Sequence, residues 1–445
     1  MSGGLRTDLY ELNMAASYLR RGMDGSATFS LYVRDMPKQR GFLVAAGLDD
    51  CLRFLETFSF EEDDLAYLRR IGFEQRTIED FAKVRFTGEV WAVPEGRIVH
   101  ANEPILEVTA PIAEAQLVET VLLNQVTLHT TLSSKAARYI IAAEGHELVD
   151  FAFRRAHGVE GARAAARGSA LVGFRATSNV EAAREFRLDV SGTMAHSFIT
   201  AFEDERESFR AFAEDHPNRT TFLVDTYDTL TGVRNAIDVI QELDPPGEVG
   251  VRLDSGDLDR LSREARRMLD HAGLGRAKIF ASGGLDEHEV AELVRAGAPV
   301  DAFGIGTQLG VSADAPYIDA VYKLVEFDGR PVLKLSPAKA SAPGRKQVWR
   351  GPSEDVLGLR DEAAPGPNHE PLLEPVMRAG RRLAAASPIE EMRERFERDL
   401  KALPIKAARL SHPEHVIAHR TTALAGLTTE TTEEARRRGR ANGGR

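Results

Sequence analysis

Hydrophobic and polar positions divide the chain into three stretches. In the first, Leu9, Leu12, Ala16 and Leu19 recur at helical spacing. Asp8 followed by Glu11 resembles a capping box ahead of that helix. Strand-like runs follow over Ala27–Val33, Val84–Val90, Arg97–His100 and Ile105–Val108. In the second stretch a helical pattern over Glu114–Ala143 gives way to short apolar runs alternating with helix-like segments. The runs are Leu148–Phe153, Ala170–Phe174, Leu188–Val190, Thr221–Val224, Val249–Leu253, Ile279–Ala281 and Ala302–Ile305. Such alternation predicts βα units and a parallel sheet. The runs fall one short of the usual eight-stranded barrel. The predicted fold class is therefore α/β, an irregular, incomplete TIM-like barrel over residues 111–330. Residues 1–110 with 331–427, a mixed pattern rich in turns, form a second α/β domain from the two chain ends. In the last stretch, 428–445, Thr and Glu give way to Arg436-Arg437-Arg438, which reads as a disordered tail.

Composition narrows the function classes. The 445 residues carry 57 Lys plus Arg against 68 Asp plus Glu, a net charge of −11. That balance excludes a general nucleic-acid binder. The most apolar stretch, Leu117–Ile141, is interrupted by Glu119, His129, Lys135 and Arg138, so no membrane span or membrane partner is expected. The start of the chain lacks a signal-peptide pattern. A lone cysteine, Cys51, allows neither an intramolecular disulfide nor a Cys-rich zinc site and fits a reducing cytoplasm. An anionic ligand must then be held by local cations and backbone amides.

Those groups cluster directly after the predicted strands, where the βα loops of a parallel barrel build a site. Arg154 follows the first run, Asp225-Thr226-Tyr227-Asp228 follows Val224, and Asp254-Ser255-Gly256-Asp257 follows Leu253, with Arg252 inside that run. Gly283-Gly284 and Gly306-Thr307 close the last two units, glycine turns suited to a phosphate. His196 opens a segment in which Phe198, Phe202, Phe209 and Phe212 recur at helical spacing. A nucleophilic imidazole at a helix start, where nearby negative charge is stabilised, suits a phosphoryl carrier. Thr221–Gly232 superficially resembles the diphosphate-ribose loop of type I phosphoribosyltransferases, but Thr226 and Tyr227 separate its acids and the surrounding pattern is a barrel.

From about residue 5 to 350 the chain resembles the nicotinate phosphoribosyltransferases, type II phosphoribosyltransferases of NAD salvage. The resemblance rests on Thr7-Asp8-Leu9-Tyr10-Glu11-Leu12, Phe153-Arg154-Arg155-Ala156-His157-Gly158, Ala176-Thr177-Ser178-Asn179-Val180, Gly192-Thr193-Met194-Ala195-His196-Ser197, Val251-Arg252-Leu253-Asp254-Ser255-Gly256-Asp257, Gly304-Ile305-Gly306-Thr307 and Pro343-Gly344-Arg345-Lys346-Gln347-Val348. It implies transfer of phosphoribose from 5-phosphoribosyl 1-diphosphate to nicotinate, giving nicotinate mononucleotide and diphosphate. ATP hydrolysis would be coupled through a phosphohistidine at His196, with Mg²⁺ carried by the diphosphate and ATP. Tyr10, Thr193, Arg252 and Ser178 fall on nicotinate contacts. Arg154, Asp254, Gly283, Gly284, Gly306 and Thr307 fall on the phosphoribosyl-diphosphate subsite. A homodimer is implied, with Tyr10 reaching the other subunit's site. Ser178 stands where nicotinamide-using relatives carry an aspartate, which would repel a carboxylate; serine favours nicotinate. Departures are Ala152, where glycine is expected in some relatives, and the bulkier Phe153. Nicotinamide or quinolinate use, and a non-catalytic phosphate-ligand sensor on the same barrel, are the competing readings.

Overall fold

A computed structural model describes residues 3–335, 341–352 and 354–442. The chain forms two compact units, one from residues 1–131 and 317–445, the other from 132–316. The sequence pattern placed these divisions at 110/111 and 330/331. The difference arises because the helix Glu119–Ala143 runs through one division, and the strand Ala320–Phe327 pairs back into the first unit.

The first unit is built on a seven-stranded antiparallel sheet. Its order is Arg330–Pro331, Ala320–Phe327, Ser26–Val33, Pro104–Pro111, Glu89–Ala92, Glu374–Arg378 and Arg381–Arg382. Ser26–Val33 is central and buried along all but its first residue, as a near-continuous apolar run requires. The run Val84–Val90 is strand only at its end, within Glu89–Ala92. The Asp8/Glu11 capping box does not form. Helix Leu9–Arg20 starts after Asp8, but Glu11 accepts instead from the Thr7 and Thr120 hydroxyls. The tail is also corrected. Thr422–Asn442 is helical, with Thr hydroxyls bonded to carbonyls one turn back and Glu434 paired to Arg438. Residues 443–445 lie outside the described residues.

The second unit is the incomplete barrel. Six parallel strands, β1 (Glu147–Asp150), β2 (Ala176–Thr177), β3 (Arg219–Leu223), β4 (Glu248–Leu253), β5 (Lys278–Ala281) and β6 (Ala302–Ile305), pair in the order β2-β1-β6-β5-β4-β3. The first and last strands, β1 and β6, are thus neighbours, as in a closed barrel. The predicted run at Leu188–Val190 survives as a single parallel bridge between Val190 and Thr177. Across the gap between Val190 and β3 the Arg219 guanidinium donates to the Val190 carbonyl at 3.2 Å. The run Ala170–Phe174 is not a strand; it closes the helix Gly158–Val172. Its apolar residues are buried on both patterns, and an apolar run of that length does not distinguish them.

The strands pack as buried apolar residues, with Phe222, Val251 and Ile279 at 0% exposure. Gly304 in β6 has a specific task. A Cβ there would lie 2.7 Å from the rings of both Phe151 and Phe280, which stack at 5.6 Å inside the sheet's curl. Aspartates and Asn179 cap the helices that follow the strands: Asn179 accepts from Ala182 N, Asp228 from Thr231 N, Asp257 from Arg260 N and Asp286 from Glu289 N. Each side-chain cap contributes about 1 kcal/mol.

Candidate active site

The polar loops converge at the C-terminal ends of β3, β4 and β5. In the loops after β3 and β4 two aspartates stand three residues apart, and the structure separates their roles. The second of each pair, Asp228 or Asp257, caps a helix. Of the first ones, Asp225 faces the β4 loop, while the Asp254 carboxylate faces Arg252, Ser282 and His196. Asp225 Oδ2 accepts from Asp254 N at 3.1 Å and from the Ser255 hydroxyl at 2.6 Å. Asp225 Oδ1 is buried with no hydrogen-bond partner.

Arg252, on the last turn of β4, is the hub. Its Nε donates to Ser282 Oγ at 2.8 Å, Nη1 to Thr193 Oγ1 at 3.2 Å, and Nη2 to Asp254 Oδ1 at 2.6 Å. Ser282 in turn donates to Asp254 Oδ1 at 2.5 Å. Nη1 also lies 3.5 Å from the Met194 carbonyl, which among the described residues leaves one Nη2 proton of the guanidinium open. The same guanidinium lies over the Phe151 ring at 5.4 Å. Burial raises the Asp254 carboxyl, but the Ser282 hydrogen bond and the Arg252 charge outweigh it and hold it below the usual aspartate value. Asp254 is therefore ionised throughout the neutral range.

His196 begins the short helix His196–Thr200. Its Nδ1 lies 3.1 Å from Thr226 Oγ1 and its Nε2 3.9 Å from Asp254 Oδ2. The helix expected to run on through Phe212 is two helices; Glu205–Asp215 starts anew behind Asp204, which accepts from Glu207 N. His196 remains exposed to solvent at the rim of the cluster.

A second group lies at the ends of β1, β2 and β6. Arg154 sits exposed in the turn Phe153–Arg155. Ser178 follows β2, its N–H donating to the Asp150 carbonyl at 2.8 Å. Gly306-Thr307 follows β6, and Thr307 opens the turn Thr307–Gly310. The Arg252–Phe151 contact joins this group to the first. Tyr10 belongs to the first unit, on helix Leu9–Arg20, where it is 47% exposed. The two glycines of the β5 loop differ. Gly283, at φ +108°, would place a Cβ 1.9 Å from the Asp254 carbonyl oxygen, so packing alone demands glycine there. Gly284, at φ +83°, has open space where a side chain would be.

A model of the nicotinate phosphoribosyltransferase N-terminal domain matches residues 5–127, and a nicotinate phosphoribosyltransferase family model matches residues 146–362. The chain belongs to the nicotinate phosphoribosyltransferase family. It is 47% identical to a nicotinate phosphoribosyltransferase of Mycobacterium tuberculosis over 97% of this chain and 96% of that one. It is 45% identical to the Bacillus subtilis nicotinate phosphoribosyltransferase over 78% of this chain and 72% of that one. The crystal structure of human nicotinic acid phosphoribosyltransferase superimposes with a TM-score of 0.86 at 28% identity, covering 95% of this chain and 99% of that one.

Within this nicotinate phosphoribosyltransferase fold, the second unit brings Thr193, His196, Arg252, Asp254 and Gly283 into one hydrogen-bonded or touching set. Arg154, Ser178 and Thr307 form the adjoining one. The sequence places Asp225 in a site-forming loop without assigning it a role, and does not single out Ser282. Asp225 carried a signal, its position directly after a strand, but so did Asp228. Ser282 precedes the glycine pair and carried none beyond that. A cavity of about 880 Å³ also opens at the opposite, N-terminal rim of the sheet, between Arg175, Arg219 and Lys278, and extends inward past Phe280 to Thr193.

Proposed function

We infer that the protein transfers phosphoribose from 5-phosphoribosyl 1-diphosphate to the ring nitrogen of nicotinate, in NAD biosynthesis. The observation that carries this reading is the Arg252 hub, buried, cationic and joined to Thr193, Asp254 and Ser282, in a member of this family. The bond from the anomeric carbon to diphosphate breaks with its electron pair leaving on diphosphate, and a bond to the pyridine nitrogen forms. Arg252 offers the acceptor carboxylate its open Nη2 proton and a positive charge in a dry surrounding, where such a bond is strong. Thr193 adds a hydroxyl beside it. Ser178 places no charge against the carboxylate, so nicotinate is preferred over nicotinamide. Arg154, exposed, is available to the diphosphate. Gly284, Gly306 and Thr307 supply backbone amides to the ribose phosphate.

Mg²⁺ fits this donor set. Asp225 has an unpartnered buried oxygen and Asp254 an ionised one, both hard ligands. Among the described residues no group of three or more His, Cys, Asp or Glu gathers to cage a metal. That pattern suits an ion that arrives with phosphates and takes one or two carboxylates. Asp225 and Asp254 would hold it, and when bound it neutralises charge on the departing diphosphate.

ATP is the co-substrate in this reading, and His196 its phosphoryl acceptor. Support comes from the exposed imidazole at a helix start, with Thr226 and Asp254 orienting its two nitrogens. A phosphoryl group there adds charge beside the diphosphate subsite and orders the surrounding loops. A homodimer with Tyr10 stacking on the partner's pyridine, and a cytoplasmic location, complete the proposal. The exposed ring on an otherwise anchored helix and the single buried cysteine support them. Among the described residues no helix is long and apolar enough to cross a membrane.

The test is incubation with nicotinate, 5-phosphoribosyl 1-diphosphate and Mg²⁺, with and without ATP. Nicotinate mononucleotide is expected in both, and more with ATP. No product in either contradicts the reading, and tight ligand binding without turnover would favour the sensor instead.

A further inference from the structure

Beneath the Arg154 and Ser178 turns lies a carboxylate that the transfer chemistry does not use. Asp150, the last residue of β1, is 1% exposed. Its Oδ1 accepts from Ala152 N at 2.8 Å, at the root of the Arg154 turn. Its Oδ2 accepts from the Thr177 hydroxyl at 2.6 Å, and Thr177 Oγ1 itself accepts from Asn179 N at 3.0 Å. Its main-chain carbonyl takes the Ser178 N–H. Across the sheet Asp150 stands in register with Ile305, and the next residue, Phe151, donates to the Ile305 carbonyl at 2.7 Å. The turns bearing Arg154, Ser178 and Gly306-Thr307 therefore all leave from this one residue.

The contacts favour the ionised form. Thr177 receives the Asn179 N–H, so its one proton points at Asp150 Oδ2. Ala152 N–H points at Oδ1. A carboxylate accepts on both sides as the contacts stand; a protonated carboxyl or an amide keeps both only if the Thr177 hydroxyl turns to accept with its second lone pair, which takes its proton off Oδ2 and into a buried place where a mismatched group is costly.

We propose that ionised Asp150 is a positioning residue for the transfer, clamping the Arg154 and Ser178 turns into their binding arrangement and loosening both when it takes a proton. The proposal rests on the functional reading above. Burial pushes the Asp150 carboxyl up to about 6, opposed by the Thr177 and Ala152 hydrogen bonds. The charged and titratable groups on elements packed against it are Arg154 and Arg155 of the turn, the exposed His157 and Glu160 that follow them, and Arg163 and Arg167 of helix Gly158–Val172. Both turn residues are exposed, Arg163 is paired with Glu185, and Arg167 lies over the Phe186 ring. None of them is among the causes of the Asp150 shift. The carboxyl therefore passes from charged to neutral as pH falls through about 6, and the clamp is lost in that direction.

The experiment measures KM for nicotinate and for 5-phosphoribosyl 1-diphosphate, together with kcat, from about pH 8 to about pH 5. Wild-type KM values should rise roughly tenfold across the transition, with kcat changing less. Asp150→Asn, which cannot ionise, should show the raised KM at every pH and no step. Thr177→Val should raise KM similarly at neutral pH, and Thr177→Ser should restore it. An Asp150→Asn protein with wild-type KM values, or one keeping the same pH step, overturns the proposal. A wild-type protein that forms no product sinks both this proposal and the functional reading; product with an indifferent Asp150→Asn variant sinks the proposal alone.

Discussion

Arginine and aspartate are paired in both units of the molecule, and the two networks differ in what they leave open. In the first unit Asp399 Oδ2 accepts from Arg97 Nε, Ile98 N and Arg350 Nη1 at 2.7–2.9 Å, and Arg350 Nη2 reaches Asp355 at 2.7 Å. These side chains are at most 13% exposed. In the second unit Asp254 is 28% exposed and its Oδ2 lies 3.9 Å from His196; among the described residues one Arg252 proton is open and Asp225 Oδ1 has no partner. The residue types are the same. Saturated and dry, they tie Arg97, the strand Lys346–Arg350 and the helix Ile389–Ala402 together. With a valence facing a loop rim, they can receive a ligand.

If the contrast is real, substitutions in the open network should change chemistry and those in the saturated one should change stability. The largest effect is expected at His196. His196→Ala should abolish ATP-dependent phosphorylation of the protein while stability stays within about 0.5 kcal/mol, since the side chain is exposed; unchanged labelling from ATP would remove the phosphohistidine assignment. Uncoupled transfer should fall less, because the histidine need not attack the sugar. Next is Arg252→Ala, which leaves Asp254 unpaired. It also removes the charge-assisted bond to the acceptor, worth about 1.5–3 kcal/mol, so kcat/KM for nicotinate should drop by roughly one to two orders of magnitude, and steady-state kinetics on folded protein checks it.

The saturated network gives the opposite signature. Asp399→Ala leaves Arg97 Nε, Ile98 N and Arg350 Nη1 without their shared acceptor and should cost about 3 kcal/mol of stability, read by denaturant unfolding. Turnover per folded molecule should be retained; a kinetic defect without a stability loss would dissolve the contrast. The smallest effect concerns Glu11, a buried carboxyl with hydroxyl partners in place of a cation. Burial pushes it from 4.5 up to about 7 against the Thr120 and Thr7 hydrogen bonds. The folded chain thus keeps this proton to higher pH than the unfolded one. Stability from this group is full below about pH 4.5 and is lost as pH rises through about 7. Glu11→Gln should flatten that part of the melting-temperature profile, and an undiminished slope would contradict the account.

Much of this was legible in the residues, for reasons that also mark where reading failed. The strands β3 to β6 are short apolar runs bounded by polar turns, and the parallel sheet followed from them. The run Ala170–Phe174 has the same composition but continues a helix of alanines, and only tertiary packing decides such a case. Val190 shows a strand reduced to one bridge, which no pattern of that length reports. At the site, Arg252, Asp254 and His196 could be named from motifs. Asp225 could not be told from Asp228, because an aspartate that caps a helix and one that opens toward a ligand look alike until the loop's hydrogen bonds are known. The resemblance puts Arg252 on the nicotinate; the fold spends most of its donors on Thr193, Asp254 and Ser282.

That last point makes acceptor choice the sharpest test of the central claim, that an open valence on Arg252 beside uncharged Ser178 reads a carboxylate. The measurement is kcat/KM for nicotinate and for nicotinamide with the same 5-phosphoribosyl 1-diphosphate and Mg²⁺. A charge-assisted hydrogen bond at this place predicts a preference for nicotinate of roughly tenfold or more. Equal use of the two acceptors, or a preference for nicotinamide, would contradict it.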